Sequence, residues 1–581
     1  MTLARELESR LASAFATVLG EEVDTPVVPS ADLRFGDYQC NAAMALAKRR
    51  KTNPRELAQK VVGAADLAGL GTAEIAGPGF INLRIEPAAF AARSATQLAD
   101  PRLGVPETGD GRTVVIDFSA PNVAKPMHVG HVRSTIIGDA LARVSRFLGY
   151  RVITDNHIGD WGTQFGMILH GWKTVLDPAA LEADPIAELL RVYREVNAAA
   201  KADSAVMETC RGELVKLQAG DEENLGVWRR CVELSRQGLQ RIYDRLDVGF
   251  DHWLGESFYN DRLAGLVGEF LDKGLARESE GAVCIFSSGE LPDDQDPFRI
   301  HKKEGWTDNP AIIRKADGGF LYATTDLATV EYRIDEWQAD AIWYVVGVPQ
   351  SLHFRQIFDA ARRWGKSADF QHVGFGSILG EDRKLMKTRS GDNVALVEVL
   401  DEAVERAARV IAEKNPDLPA EQAAEVAEIV GIGAVKFAEL SQHRLSDYVF
   451  AWDRMLALQG DTAPYLQNSF VRIRSIFRKL DGPFDPEGVA ITLGDERELH
   501  LARLLVRYGE VVPTVLEDFR PNLLANYLLE LARAFHSFYE ACPVLKVDEP
   551  LRSSRLALCE LSSRVLGHGL GLLGIRCPEQ M

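Results

Sequence analysis

A chain of 581 residues is too long for one hydrophobic core, so about three or four domains are expected. Its 46% hydrophobic and 26% charged residues exclude a disordered or fibrous chain, and no apolar run reaches membrane-spanning length. The formal charge of −18 excludes a globally basic nucleic-acid binder but allows local basic faces. The first residues, MTLARELESRLASAF, read as an amphipathic helix without a cleavable signal pattern. Seven scattered cysteines without a CxxC pair indicate neither a disulfide framework nor a zinc ribbon, and fit a reducing cytoplasm best.

In chain order, residues 1–108 read as a small α/β module. Helical patterns cover roughly 3–19 and 53–64, with Asn53-Pro54 as cap and first turn. The word FGDYQCNAAMALAK precedes a basic run, Lys48 to Lys51, most simply a solvated helix end. A Pro- and Gly-rich linker follows. Val114 to Phe118 is a β-branched, buried-strand pattern. A loop with Pro121, Asn122, Lys125 and Pro126 leads to His128-Val129-Gly130-His131. Apolar residues at 132, 136, 137, 140, 141, 144 and 148 then repeat with helical period, Gly149 stops the helix, and Val152-Ile153 starts the next parallel strand. This βαβ unit carries two histidines at its helix mouth. Such a mouth has unpaired N–H groups and a partial positive charge that attract phosphate. The competing reading is that one histidine caps the helix and the other packs.

From about 167 to 305 the pattern is mostly helical and charged, an insertion into the α/β alternation. Strand patterns return at Val283–Phe286 and Ala311–Arg314, then Phe320 to Thr325 leads into Asp326 and a helix. Ala341–Val346 and Gln371–Phe375 are further strands. A cationic loop, residues 376–391, follows with Arg383, Lys384, Lys387 and Arg389. The expected division is a catalytic domain at 109–395, a helical connector at 396–460 and an all-α bundle at 461–581. No Walker motif is present, which excludes a P-loop enzyme. A cationic loop opposite a histidine-lined helix mouth suits transfer chemistry at an ATP phosphate, where charge on non-bridging oxygens must be stabilised.

These residues carry a resemblance. HVGH after the first strand resembles the His-Ile-Gly-His signature of class I aminoacyl-tRNA synthetases. MKTRSG resembles their Lys-Met-Ser-Lys-Ser loop. SAPNVAKPMHVGHVRSTIIGDA, GDWGTQFG, LYATTDLA and the terminal LLGIRCPEQM resemble the arginyl-tRNA synthetase family specifically. The resemblance implies a Rossmann-type parallel-sheet catalytic domain with an inserted helical segment, an N-terminal α/β domain that touches tRNA, and a C-terminal helical anticodon-binding bundle. It implies ATP-dependent ligation of L-arginine to tRNA(Arg) through arginyl-adenylate, with release of AMP and pyrophosphate. Magnesium would arrive with ATP, without a dedicated protein site, and the enzyme would be a cytoplasmic monomer. Activation generally needs the tRNA in this family.

By position, the resemblance assigns ATP to His128, Gly130, His131, Lys125, Lys384 and Met386, with His128, His131, Lys125 and Lys387 in the chemistry. It places Asp117 and Asn122 at or beside the ammonium and backbone end of arginine, Tyr322 and Asp326 at the guanidinium, and Gln350 at the edge of the pocket. A planar guanidinium pairs with carboxylate and stacks on an aromatic face, which agrees with these residue types. Taken alone, Asp326 reads as an N-cap and Asp117 as a strand end. Leu385 stands where the loop's first lysine is expected and Thr388 near its second; one residue later, Met386 and Arg389 fill those places. The second lysine is absent in either register, so Lys125 is expected to take over its work, with Lys384 or Lys387 supplying the rest. Gln467 and Arg472 are expected tRNA contacts. Two rivals stand beside this reading: a small nucleotidyltransferase, which shares the HxGH mouth but lacks a helical tail, and an inactive tRNA-binding protein.

Overall fold

The computed structural model describes residues 1–162, 164–380, 382–384, 394–457 and 460–581. The chain forms two compact units. One comprises Met1–Thr108, Ile411–Gly433 and Ala457–Met581; the other comprises Gly109–Val410 and Ala434–Leu456. The segment 396–460, expected as one connector, is divided between them.

The second unit is built on a four-stranded parallel sheet. Its strands are β1 (Thr113–Asp117), β2 (Arg151–Asp155), β3 (Ala341–Tyr344) and β4 (Asp369–His372), in the spatial order β4-β3-β1-β2. Every residue of β1 is buried, as the continuous β-branched run requires of a central strand. Helix α1 (Val129–Phe147) joins β1 to β2, helix α2 (Tyr322–Asp335) precedes β3, and helix α3 (Ser351–Trp364) joins β3 to β4. The strand order reverses between β1 and β3, so the crevice beyond their carboxyl ends is where such a sheet binds ligands.

Between β2 and α2 lies the expected insertion. Five helices run from Gln164 to Arg245. Their core includes Phe165, Ile168, Leu169, Leu189, Leu217 and Cys231, and takes in Val123 and Ala124 from the loop after β1. That burial holds the loop carrying Lys125 against the insertion. The helical pattern does not continue to 305. The chain turns to strand at Ala276, and Ala276–Ser279, Ala282–Ile285 and Ala311–Arg314 form a separate antiparallel sheet. The last strand pattern, expected at 371–375, begins two residues earlier.

In the first unit, an antiparallel four-stranded sheet orders Val27–Pro29, Tyr38–Cys40, Phe80–Ile85 and Gly71–Ala76 side by side. Asp37 and Tyr38 of the FGDYQ word reach the helix Glu496–Glu517: Asp37 Oδ1 pairs with Arg503 Nε at 2.6 Å, and Tyr38 Oη donates to Glu510 at 3.0 Å. Arg472 is exposed, its guanidinium 5.5 Å from the Tyr539 ring centre. Gln467 corrects an expectation. It is 0% exposed and its amide donates to the Ile429 and Arg576 carbonyls at 3.2 and 2.8 Å, so it ties helices together and does not face RNA.

The sheet's carboxyl edge is organised by charge. Tyr344, Asp117 and Asp155 are the last residues of β3, β1 and β2 and stand side by side in register. Arg333, from the last turn of α2, is 0% exposed and donates to Asp117 at 2.6 Å and Asp155 at 2.8 Å. Its guanidinium lies 5.3 Å from the Tyr344 ring centre. Burial pushes the Asp117 carboxyl above its ordinary value, against the pull of Arg333. Breaking a buried ion cluster on one side leaves uncompensated charge, which costs about 3–5 kcal/mol. Arg333→Met should therefore lower stability by about that amount in urea unfolding, and adding Asp155→Asn should restore part of it. A loss under about 1 kcal/mol would remove the cluster as the organiser of this edge.

Candidate active site

The loop from β1 to α1 departs from ordinary backbone. Ser119, Ala120 and Ala124 have φ of 73°, 46° and 60°. Non-glycine residues in this region store strain that the surroundings must hold. They do so through the Ser134 hydroxyl, which accepts from Ser119 N at 2.8 Å, the Asn156 side chain, which accepts from Ala120 N at 3.1 Å, and the Ser235 hydroxyl, which accepts from Ala124 N at 2.9 Å. Asn122 is exposed and forms a parallel bridge with Gly159. A Cβ at Gly159 would lie 2.3 Å from Asn122 Oδ1, so a larger residue there would displace the Asn122 side chain.

The histidines form a reciprocal capping box on α1. His128 Nδ1 accepts from Gly130 N and His131 Nδ1 accepts from His128 N, both at 3.1 Å. Both ring nitrogens facing the backbone are acceptors, so each neutral ring carries its proton on Nε2. Burial, then the neighbouring His128, pushes His131 down to about 4; burial alone pushes His128 down. The pair therefore offers neutral N–H donors, with ring centres 4.0 Å apart. Gly130 serves the cap: a Cβ there would be 2.9 Å from the His128 ring.

This geometry corrects the expected mouth of unpaired backbone donors. Val129 N donates to Val394 O at 3.0 Å, Gly130 N to His128, and His131 N to the His128 carbonyl at 2.9 Å. What remains for an anion is the helix dipole and the two imidazole Nε2–H groups. Both capping and presentation fall to the same two residues.

Lys125 is half-buried, its Nζ 4.8 Å from the Tyr193 ring centre on the insertion. Lys384 is exposed on a turn closed by Gly380 N donating to its carbonyl at 2.8 Å. Met386 and Lys387 lie outside the described residues. Beyond them, Leu396 N donates to Met127 O at 2.8 Å, so the chain returns directly onto the base of α1.

Tyr322 and Asp326 stand one turn apart at the start of α2. Asp326 is not the cap, since the helix starts at Tyr322 behind Leu321. Tyr322 is 59% exposed, and its ring centre lies 4.6 Å from that of His353 in the first turn of α3. His353 Nε2 donates to Asp326 Oδ2 at 2.5 Å. Gln350 is exposed just ahead of that helix. Burial pushes the carboxyl of half-buried Glu256 up, against the pull of His157 and with the charges of Asp160 and Asp326. Asp117, expected to meet or border the ammonium, is 4% exposed and held by Arg333, so it presents no free carboxylate.

The structure thus brings Tyr322 and Asp326 together with His353, a residue not anticipated, and gathers His128, Gly130 and His131 into one cap. His353 had a weak signal, three positions after Gln350. Glu256, in a Gly-Glu-Ser turn, and Arg333, in an ordinary helical pattern, had none. An aromatic face beside carboxylates receives a planar cation, and paired neutral imidazole donors receive phosphate oxygens.

Comparison with known proteins agrees along the whole chain. The family described as "Arginyl tRNA synthetase N terminal domain" matches residues 2–85, "tRNA synthetases class I (R), catalytic domain" matches 95–452, and "DALR anticodon binding domain" matches 466–581. The chain is 46% identical to an arginine–tRNA ligase of Cellvibrio japonicus, covering 100% of both, and 46% identical to one of Thermobifida fusca, covering 100% of this chain and 99% of that one. The solved arginyl-tRNA synthetase of Plasmodium falciparum superposes with a TM-score of 0.83 at 26% identity, covering 100% of this chain and 99% of its own. That of Thermus thermophilus gives 0.82 at 26%, covering 100% of both. With every domain matched in order and its full length shared, the chain belongs to the class I arginyl-tRNA synthetase family.

Proposed function

We propose that this chain ligates L-arginine to tRNA(Arg) with ATP, by way of arginyl-adenylate, for protein synthesis. The observation that carries the reading is the pairing, along one sheet edge, of a neutral two-histidine helix mouth with a carboxylate–aromatic pocket. In the first step, a carboxylate oxygen of arginine attacks the α-phosphorus of ATP and pyrophosphate leaves. The nucleophile is already ionised, so no general base is required. In the second, a terminal ribose hydroxyl of the tRNA attacks the adenylate carbonyl and AMP leaves. Nε2–H of His128 and His131 stabilises charge on the phosphate oxygens, a role preorganised donors perform well. Lys125 supplies positive charge from the same loop, and Lys384 or Lys387 from the distant one.

The guanidinium end belongs to Tyr322 and Asp326, Gln350 completes the pocket, and Asn122 lies at the ammonium and backbone end of the substrate. Asp117 acts through Arg333, setting the position of α2. Among the described residues, no group of three or more His, Cys, Asp or Glu side chains is arranged to hold a metal ion; the reading brings Mg2+ with the ATP phosphates. The proposed state is a monomer and the proposed place is the cytoplasm, which the seven free cysteines favour.

Offering all twenty amino acids with bulk tRNA tests the reading directly: arginine alone should be charged. His128→Asn keeps a capping acceptor but removes the Nε2 donor, and should cut ATP–pyrophosphate exchange by about 10²–10³. His131→Ala should cut it comparably, and near-normal exchange in both would take the phosphate role from this helix mouth. Asp326→Asn should raise the arginine KM by roughly 10–100-fold, from loss of a charged hydrogen bond; an unchanged KM would place the pocket elsewhere. Exchange should appear only with tRNA(Arg) present, and tRNA-free exchange at the same rate would contradict that coupling.

A further inference from the structure

Both ends of the segment that carries Lys384 are tied to the helix that carries the histidines. The far end does so directly: His128 bridges Ala395, and Val129 N donates to Val394 O. The near end does so through a buried polar cluster. Strand β5 (Ile378–Leu379), just ahead of the segment, pairs in parallel with β6 (Tyr448–Val449). The same join is continued by Ser377 N donating to Asp447 Oδ1 at 2.6 Å, Gly376 N donating to Arg444 O at 2.9 Å and Phe450 N donating to Leu379 O at 2.9 Å. Residues 444–450 are in turn gripped by Arg133, on the second turn of α1. Its guanidinium donates to Ser446 O at 2.9 Å, lies 5.3 Å from the Tyr448 ring centre, and pairs with Glu439 at 3.1 Å. The Tyr448 hydroxyl donates to Glu439. Arg133 is 1% and Glu439 1% exposed.

A buried Arg–Glu pair is poor value as a source of stability alone, because desolvation offsets the attraction. Its geometric precision is what distinguishes it from an apolar plug. Here that precision fixes the stem of the cationic segment to the helix whose first turn presents His128 and His131, two residues before Arg133. We propose that Arg133, Glu439 and Tyr448 are positioning residues for the adenylation step: they set where Arg383 and Lys384 stand relative to the histidine pair. This rests on the ligase reading above. None of the three touches substrate in this role, and none stands with the arginine pocket of Tyr322, Asp326 and His353, so the effect should divide between the two substrates.

The test is tRNA-supported, arginine-dependent ATP–pyrophosphate exchange with the full chain, measured for Glu439→Gln, Tyr448→Phe and Arg133→Lys. Tyr448→Phe removes one hydroxyl and keeps the ring under Arg133, so it decides the matter where a charge variant does not fold. The expected result is a fall of about tenfold or more in kcat/KM for ATP, with the arginine KM within about twofold of wild type. Each variant is then combined with Lys384→Ala. Residues acting through one segment couple, so the double variant should lose less than the product of the single losses. The proposal is overturned by unchanged ATP kinetics in folded variants, by an equal rise in the arginine KM, or by multiplicative losses in the double variants. A wild-type chain with no arginine-dependent exchange overturns the ligase reading, and this inference with it.

Discussion

One guanidinium, that of Arg333, bridges the two carboxylates at the carboxyl edge of the parallel sheet. Asp117 and Asp155 end adjacent strands in register, and both are buried. Two carboxylates this close in a dry site repel, and one would take a proton unless a cation intervened. Arg333 intervenes from the last turn of α2. The pairing therefore fixes more than charge. It pins the axis of α2 against the sheet, and the first two turns of that helix carry Tyr322 and Asp326. The placement of Tyr322 and Asp326, the proposed guanidinium partners, is thus tied to an ion cluster at the opposite end of their helix.

A second constraint governs the phosphate side. The β1–α1 loop takes three non-glycine residues through left-handed backbone, held by buried hydroxyl and amide acceptors from α1, the segment after β2 and the insertion. The insertion's core also closes over Val123 and Ala124. Strain of this kind persists only where the surroundings over-determine it. The helical insertion is thus part of what shapes the loop that ends in the histidine cap, which gives a physical reason for a large helical segment between the second and third strands of the sheet.

The βαβ unit was legible because its signals agree at every level: a β-branched run, a turn rich in Pro and Asn, a 3.6-residue apolar period and a glycine stop. Tyr322 and Asp326 were legible through the LYATTDLA word, since spacing alone made Asp326 a cap, and the helix begins four residues earlier. Arg333 was not legible. In EYRIDEW an arginine on an amphipathic helix has the pattern of a solvated face, and only the tertiary placement of two strand-end aspartates turns it inward. The strands Ala276–Ser279 and Arg299–Lys302, unlike the one at Ala282–Ile285, were hidden for a different reason, since four-residue hairpin strands with irregular alternation leave no period to detect. Gln467 shows the reverse error. A polar side chain beside arginines reads as a surface contact, yet it is buried and its amide donates to the Ile429 and Arg576 carbonyls.

The two halves of the site make opposite demands on charge. A dication such as arginine needs carboxylates, and on the proposed reading Asp326 is the one at its guanidinium end. ATP needs the reverse, and β1, which leads to the histidine cap, runs about 5 Å from β3, the strand that follows α2. A permanent cation at the helix mouth would be drawn to those carboxylates and would repel the substrate they recruit. Neutral imidazole donors avoid both problems: they bind phosphate oxygens by hydrogen bonding and add no charge to the field of the pocket. Burial keeps them neutral, and the reciprocal cap directs their protons to Nε2. On the proposed reading, positive charge comes instead from Lys125, ahead of the cap, and Lys384, after β5. On this argument the histidines are there because lysine would be the wrong donor at that position.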